Sequence, residues 1–461
     1  MIKKYKIEII IFLAAVILRL VFGFFAWQEQ AFNSQEFFST LAKDGYLDIA
    51  KNVINHRVFS YFTAEPFAPV SIRTPIYPIV IAAFLYLFNS LWPLLIFQIL
   101  ISGFLPILGR KISLAITPDT RIANLTALFL IVEPVAVRHS LMIMTETFFT
   151  LFFWLAIWLI IKFMNLKNPT ARGNFRTMIL AGFLLGAATL TKPVTLYFPV
   201  ILIAAWLIYR FIIKQELLFK YVLAFLLVFG LTIAPWIVRN YQVFGSVSIS
   251  SSQEGALFGY LAPSVYALKY HRDFPQAQAE FFASRGLAAY PEVNGANAPY
   301  FRKLALAEIK NYPKELIKIS GISLFSFFTH DGMLAPLSQM GFLSPKGLTV
   351  GKIFKQSGSE FYKTVKDLFF SPAILILIVR VLWLIISVLF FMQAIYLFIK
   401  KKFTPASSLA LICVLYFALT TIANGFGVNA RFRLPAEVFI FIFAFSFVFD
   451  IINRRQDHAV L

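Results

Sequence analysis

Residues Ile7–Trp27 read IEIIIFLAAVILRLVFGFFAW, an apolar run broken only by Glu8 and Arg19 and preceded by Lys3, Lys4 and Lys6. A hydrocarbon core needs roughly 20 apolar residues at helical rise. The run is long enough to cross, too long for a cleaved signal, and has no small-residue cleavage site behind it. It reads as a first membrane anchor. Similar runs recur along the 461 residues, of which 59% are hydrophobic and 14% charged, against about 25% charged in soluble domains. They are continuous rather than alternating, and open sheet edges are not tolerated in lipid. The expected fold class is therefore an all-α polytopic membrane protein.

The net charge of +20 would suggest nucleic acid in a soluble chain. Here it fits Lys and Arg gathered in cytoplasmic loops, and no nucleic-acid partner is expected. Cys413 is the sole cysteine, which excludes an internal disulfide and a Cys-rich metal site. Basic flanks at Lys3–Lys6, Arg110-Lys111, Lys162–Arg176, Arg210–Lys214, Lys400–Lys402 and Arg454-Arg455 all fall on one side if the chain crosses about ten times. The expected spans are about 7–27, 91–112, 121–138, 147–165, 177–191, 193–212, 219–237, 372–399, 405–424 and 434–452. Ile76–Phe88 is too short to span and is expected to be a juxtamembrane or re-entrant helix. The chain then divides into a membrane module, 1–239, with an outer loop at 28–75; an outer-face segment, 240–370; and C-terminal spans, 371–461. Within the outer segment, Tyr300–Phe328 reads as one amphipathic helix. Leu304, Leu306, Ile309, Leu316 and Ile319 lie on its apolar face, and Lys303, Lys310, Lys314 and Lys318 on its basic one. It is expected either on the membrane–water boundary or packed on the rest of the loop domain.

Chemistry concentrates on the outer side. Lys43-Asp44-Gly45-Tyr46-Leu47-Asp48 follows the first anchor, and Arg73-Thr74-Pro75-Ile76-Tyr77-Pro78 starts the short helix. On a helix Asp44 and Asp48 would share a face, with Lys51 able to neutralise Asp48. Glu146 opens the fourth span, where it caps the dipole or faces the same side as Asp44. Glu133, before Pro134 and near Arg138 and His139, needs a partner inside the bilayer, as does Arg19. Lys192, Arg239, Arg431 and Arg433 sit at outer ends, where basic residues are disfavoured. They snorkel to headgroups, pair with acids, or hold an anion such as a lipid phosphate.

These segments, in order, resemble the GT-C superfamily of membrane glycosyltransferases, in the bacterial branch related to protein O-mannosyltransferases and the lipid A aminoarabinose transferase. The matching elements are Asp44 with Tyr46-x-x-Ile49-Ala50-Lys51-Asn52, Arg73-Thr-Pro75-Ile-Tyr77-Pro78, Thr145-Glu146-Thr147, Leu190-Thr-Lys192-Pro193, Pro235-Trp236-Ile-Val-Arg239-Asn240-Tyr241 and Arg431-Phe-Arg433-Leu-Pro435. The resemblance implies a polyprenyl-phosphate-linked sugar donor, an active site at the outer (periplasmic) face of a bacterial inner membrane, and inversion at the anomeric carbon. It implies that Asp44 is the acid of the first outer loop and Glu146 the second acidic position. The loop-1 acid stands closer to Tyr46 than in many relatives, which keeps Asp48 as a second candidate.

On this reading Asp44 takes the acceptor proton. Arg73 and Arg239, supported by Lys192, Arg431 and Arg433, stabilise the leaving phosphate. Tyr46, Tyr77, His139 and Trp236 are expected to line the substrate cavity. No cofactor or metal ligand set is required; a divalent cation, Mg or Mn, held by Asp44 and Glu146 is the alternative. The expected partners are a polyprenyl-phosphate sugar, a glycan, lipid or protein acceptor, and membrane lipid. Two rival classes remain: a lipid or polysaccharide transporter (flippase), and an O-antigen ligase or polymerase using a lipid diphosphate.

Overall fold

The computed structural model describes residues 5–166, 172–212, 219–343 and 371–459. Lys3, Lys4, Lys167, Lys214 and the 344–370 stretch of the outer segment lie outside them. Eight described helices are long and apolar enough to cross a membrane: Lys6–Gln28, Trp92–Ile116, Glu146–Met164, Asn174–Thr191, Phe219–Phe244, Ile374–Ile399, Pro405–Gly427 and Leu434–Asn453. Their windows differ in burial. Trp92–Ile116 and Leu434–Asn453 are 67% buried, whereas Lys6–Gln28 is 28% and Ile374–Ile399 22% buried. The first two form the centre of the bundle; the others turn Leu, Ile and Phe outward, as lipid-facing helices do. The all-α membrane class is as expected, and among the described residues the β-structure is a single isolated bridge, Ala42–Ile143.

One expected span is shorter than a crossing. Thr120–Val132 stops at Glu133, whose backbone is extended (φ −59°, ψ 118°). The Glu133 carboxylate accepts from the Ala136 N–H at 2.6 Å and caps a second short helix, Pro134–His139. Pro134 has no N–H to continue the ladder, so the expected 121–138 helix is broken there. The expected 193–212 span opens with a 3₁₀ turn at Pro193–Thr195 and continues as the helix Phe198–Ile212, which reaches the edge of the described residues. Ile76–Phe88 forms the expected 13-residue helix.

Packing at two places depends on missing side chains. A Cβ at Gly182 would sit 2.5 Å from the Phe225 carbonyl oxygen, and one at Gly186 2.7 Å from Thr232 Cβ. This Gly-x-x-x-Gly stripe lets the Arg172–Thr191 and Phe219–Phe244 helices approach closely, where dispersion rather than the hydrophobic effect holds helices together. Arg19 is wholly buried and donates to Ser102 Oγ (2.6 Å), Ala15 O (3.0 Å) and Ile131 O (3.2 Å). It joins three helices, as a charge inside a bundle must find partners.

The outer segment folds as a helical module whose core contains Phe258, Val265, Phe281, Phe301, Ile309 and Ile319. The single amphipathic helix expected over Tyr300–Phe328 is two helices, Ala298–Asn311 and Pro313–Thr329, divided at Pro313. Leu304, Ile309, Leu316 and Ile319 pack into the module core, while Leu306 is exposed. The apolar face is used inside the protein, because Phe258 and Phe281 already offer it a surface.

Candidate active site

Asp44 does not lie on a helix with Asp48. Asp44 and Gly45 are both left-handed (φ 63° and 73°), a conformation Asp tolerates, and the helix begins only at Tyr46. Gly45 is further constrained, since a Cβ there would lie 2.9 Å from Tyr61 Cβ. The turn aims Asp44 away from the helix. Asp48 sits in the first turn of Tyr46–His56 and, among the described residues, makes no ion pair. Asp48→Asn is therefore expected to keep activity within about threefold and to cost at most ~1 kcal/mol through the helix dipole. A loss in a transfer assay equal to that of an Asp44 variant would return Asp48 to the site.

The Asp44 carboxylate stands between two guanidinium groups. Arg73 Nη2 lies 3.6 Å from Oδ1 and Arg431 Nη1 3.6 Å from Oδ2. Both distances are ion pairs, too long for hydrogen bonds, so the carboxylate oxygens keep acceptor capacity. Arg73 is held instead by its Nε, which donates to the Asp44 carbonyl at 2.9 Å, and by the Tyr46 ring 5.1 Å beneath it. Glu146 completes the arrangement: Lys192 Nζ donates to its Oε1 at 3.2 Å. The Asp44 side chain is 34% exposed and that of Glu146 4%, so Asp44 is open to solvent and Glu146 is not.

What brings these far-apart segments together is backbone. The Ile143 N–H donates to Leu41 O at 3.0 Å, and the Ala42–Ile143 bridge sets the segment before Asp44 beside the segment before Glu146. Lys192 begins the turn at Pro193, and Arg431 lies in the short 3₁₀ turn Ala430–Phe432. Arg138 joins the same neighbourhood, although sequence reasoning did not place it in the site. Its guanidinium is lowered by burial, raised by Glu146 and lowered again by Arg431. The one available signal was its place beside His139 at a helix end where bases are disfavoured.

His139 is buried next to Glu146, and both line a cavity of about 20 Å³ with Arg19, Ser102, Thr150 and Glu437, room for a single water. His139 Nδ1 lies 2.8 Å from Val135 O, so the proton sits on Nδ1. His139 Nε2 and Glu146 Oε2 are both buried without a partner. Burial pushes the imidazole down to about 4, keeping it neutral. This cavity is too small for a sugar.

Five other expected site residues are used for structure. Tyr77 is fully buried and donates to Gln98 Oε1 at 2.5 Å; Tyr46 packs edge-on against it. Tyr46 supports Arg73 from below, and Tyr77 backs Tyr46. The Trp236 Nε1–H donates to Ile249 O at 3.0 Å. Arg239 donates to Val70 O and Asn240 Oδ1, each at 2.9 Å, between the rings of Trp236, Phe59 and Phe244. It pins the first outer loop to the Phe219–Phe244 helix and is not paired with Asp44. Arg433 is wholly buried, bound to Glu437 (3.3 Å), Phe327 O (2.8 Å) and His330 O (3.0 Å). Its donors are spent on the fold, and of that pair only Arg431 faces Asp44. Among the described residues no group of three or more His, Cys, Asp or Glu side chains is placed to hold a metal.

Residues 73–249 match the family model described as dolichyl-phosphate-mannose-protein mannosyltransferase, and the resemblance to GT-C glycosyltransferases read from the motifs is thereby borne out. Similar solved structures include the oligosaccharyltransferase of Archaeoglobus fulgidus in the apo form, 13% identical over 97% of this chain and 52% of that one, with a TM-score of 0.42. ArnT from Cupriavidus metallidurans is 14% identical over 94% of this chain and 77% of that one. Its TM-score is 0.36 in the apo state and 0.35 bound to undecaprenyl phosphate. The chain thus spans about half the length of the archaeal protein. No protein in the curated comparison matches significantly.

Proposed function

We propose that this chain, whose residues 73–249 match the family model described as dolichyl-phosphate-mannose-protein mannosyltransferase, is an inverting glycosyltransferase that moves a sugar from a polyprenyl-phosphate donor to a hydroxyl acceptor at the non-cytoplasmic membrane surface. The observation that carries this reading is the half-exposed Asp44 carboxylate between Arg73 and Arg431, with Glu146 held by Lys192 beside it. The basic clusters Arg110-Lys111 and Lys400–Lys402 lie at the opposite helix ends, a charge asymmetry that supports the outer-side reading.

In this mechanism Asp44 accepts the acceptor hydroxyl proton, a step that contributes about 10²–10⁴-fold. The acceptor oxygen bonds to the anomeric carbon from the face opposite the phosphate. The carbon–oxygen bond to phosphate breaks, and the electron pair leaves with the phosphate oxygen. A phosphodiester donor carries one negative charge; the departing monoester carries two. Arg73, Arg138, Lys192 and Arg431 face Asp44 and Glu146, leaving an excess of two positive charges. That excess matches the leaving group better than the donor, so its stabilisation grows along the reaction. Glu146 keeps Lys192 in place rather than meeting the acceptor.

The charge count favours a monophosphate over a diphosphate donor. Purified protein given a synthetic polyprenyl-monophosphate hexose is expected to release polyprenyl phosphate at least ~100-fold faster than it turns over the diphosphate analogue, the scale of one well-placed catalytic interaction. Preferred turnover of the diphosphate would move the protein to the ligase or polymerase class. Movement of intact donor across vesicles without bond cleavage would make it a transporter.

A further inference from the structure

Three backbone segments are laced together at the edge of the site. Ser250 Oγ donates to Ile72 O (2.8 Å), the Ser251 N–H donates to Ser71 O (3.2 Å), and Ser251 Oγ donates to Val293 O (2.7 Å). The 290–297 loop is closed on itself: Asn297 Nδ2 donates to Glu292 O at 2.9 Å, and Asn297 Oδ1 accepts from the Asn294 N–H at 2.8 Å. The outer module thus ties the 290–297 loop through Ser250 and Ser251 to Ser71 and Ile72, the residues before Arg73, and Tyr290 and Ile72 both lie over Gly255.

Tyr290 is seated in an unusual way. Its ring lies on Gly255 and Gly259, four residues apart. A Cβ at Gly259 would be 2.2 Å from Tyr290 Cε2, and one at Gly255 2.7 Å from its hydroxyl oxygen. Gly259 belongs to a π-helical turn, Leu257–Leu261, a feature concentrated at functional sites. The chain clears a helix face to lay one side of an aromatic ring flat, yet Tyr290 stays 41% exposed. Burial pushes its phenol up to about 12, so it remains a neutral hydroxyl. Tyr61, which rests on Gly45 beside Asp44, is raised by burial and by Glu292 and drawn back by Arg73. Tyr61 feels both Glu292 and Arg73, and Tyr290 feels both Arg73 and Tyr61, so these side chains are neighbours of the Arg73–Asp44 pair.

We infer that Tyr290, Tyr61 and Glu292 form the acceptor subsite and that the acceptor presents a carbohydrate ring there. The assignment rests on the glycosyl-transfer reading above. A pyranose offers an apolar C–H face to a flat aromatic ring and hydroxyl donors to a carboxylate at its edge. A peptide acceptor would seek a free backbone edge. The polar backbone atoms named here at Ser71, Ile72, Ser251 and Val293 are already paired with this chain.

The test uses the full chain in lipid nanodiscs and saturation-transfer NMR with methyl glucoside, methyl galactoside and methyl mannoside, and separately with a Ser-rich hexapeptide. At least one glycoside is expected to receive saturation. Tyr290→Ala should weaken its binding by roughly 3- to 10-fold, the scale of one aromatic contact, with Tyr290→Phe retaining it. Glu292→Gln should also weaken it. Gly259→Ala, which displaces the Tyr290 ring without removing it, should reproduce the alanine effect and guards against a folding artefact. Release of polyprenyl phosphate from donor to water is measured in each variant and is expected to be unchanged. Absence of glycoside saturation, equal saturation in Tyr290→Ala, or Tyr290-dependent saturation of the peptide overturns the subsite. If the unaltered protein cleaves no donor, it is the transferase reading that fails.

Discussion

Asp44→Asn inserts and folds like the parent protein but transfers sugar at least ~100-fold more slowly, the loss expected when a positioned general base is removed. Asparagine tolerates the left-handed backbone at this position, and the carbonyl that anchors Arg73 Nε is unchanged, so the turn survives. What disappears is the charge between Arg73 and Arg431. With no carboxylate competing for them, both guanidinium groups are free for phosphate. Donor affinity is therefore expected to stay equal or rise while turnover falls. That split separates a base from a group that merely holds the site together, whose removal would weaken both. Polyprenyl-phosphate binding and single-turnover transfer on the same preparation check it. Full turnover in the variant would remove Asp44 from the chemistry.

Arg433→Met is expected to cost about 3–5 kcal/mol of stability, because taking one partner from a buried pair leaves the other charge uncompensated. Glu437 is 1% exposed and its described ion-pair partner is Arg433. The same substitution strips donors from Phe327 O and His330 O and removes the guanidinium stacked 3.3 Å over Trp383, so three segments lose their common tie. Thermal unfolding in detergent should show a much lower midpoint. The double variant Arg433→Met/Glu437→Leu should recover most of it, since well-packed apolar replacements of buried ion pairs are often neutral or stabilising. Normal stability of the single variant together with lost donor binding would return Arg433 to the phosphate site.

The two arginines at 431 and 433 show how far sequence reading reaches. Both precede the last span, and both look like cations in want of an anion. One side chain emerges beside Asp44; the other turns into the bundle and finds Glu437 one helical turn on. Arg239 repeats the lesson, since the Phe59 ring and the Val70 carbonyl that hold it come from a segment whose distance in space no local pattern encodes. Asp44 and Asp48 fail for another reason. Their spacing suggests a shared helical face, but Gly45 starts the helix after Asp44 rather than before it. Arg138 escaped notice because its value depends on Glu146, eight positions away across a loop.

Composition and run length alone decided that this chain is a helical membrane protein, because the cost of unpaired backbone in lipid leaves no other spanning form among continuous apolar runs. Motif order pointed to the family, and the acids Asp44 and Glu146 were visible as acids out of place. Which cations meet those acids was settled only by tertiary structure. A guanidinium is satisfied by whatever carbonyl, carboxylate or ring folding brings within about 3–6 Å, and that depends on backbone bridges such as Leu41–Ile143 rather than on spacing along the chain.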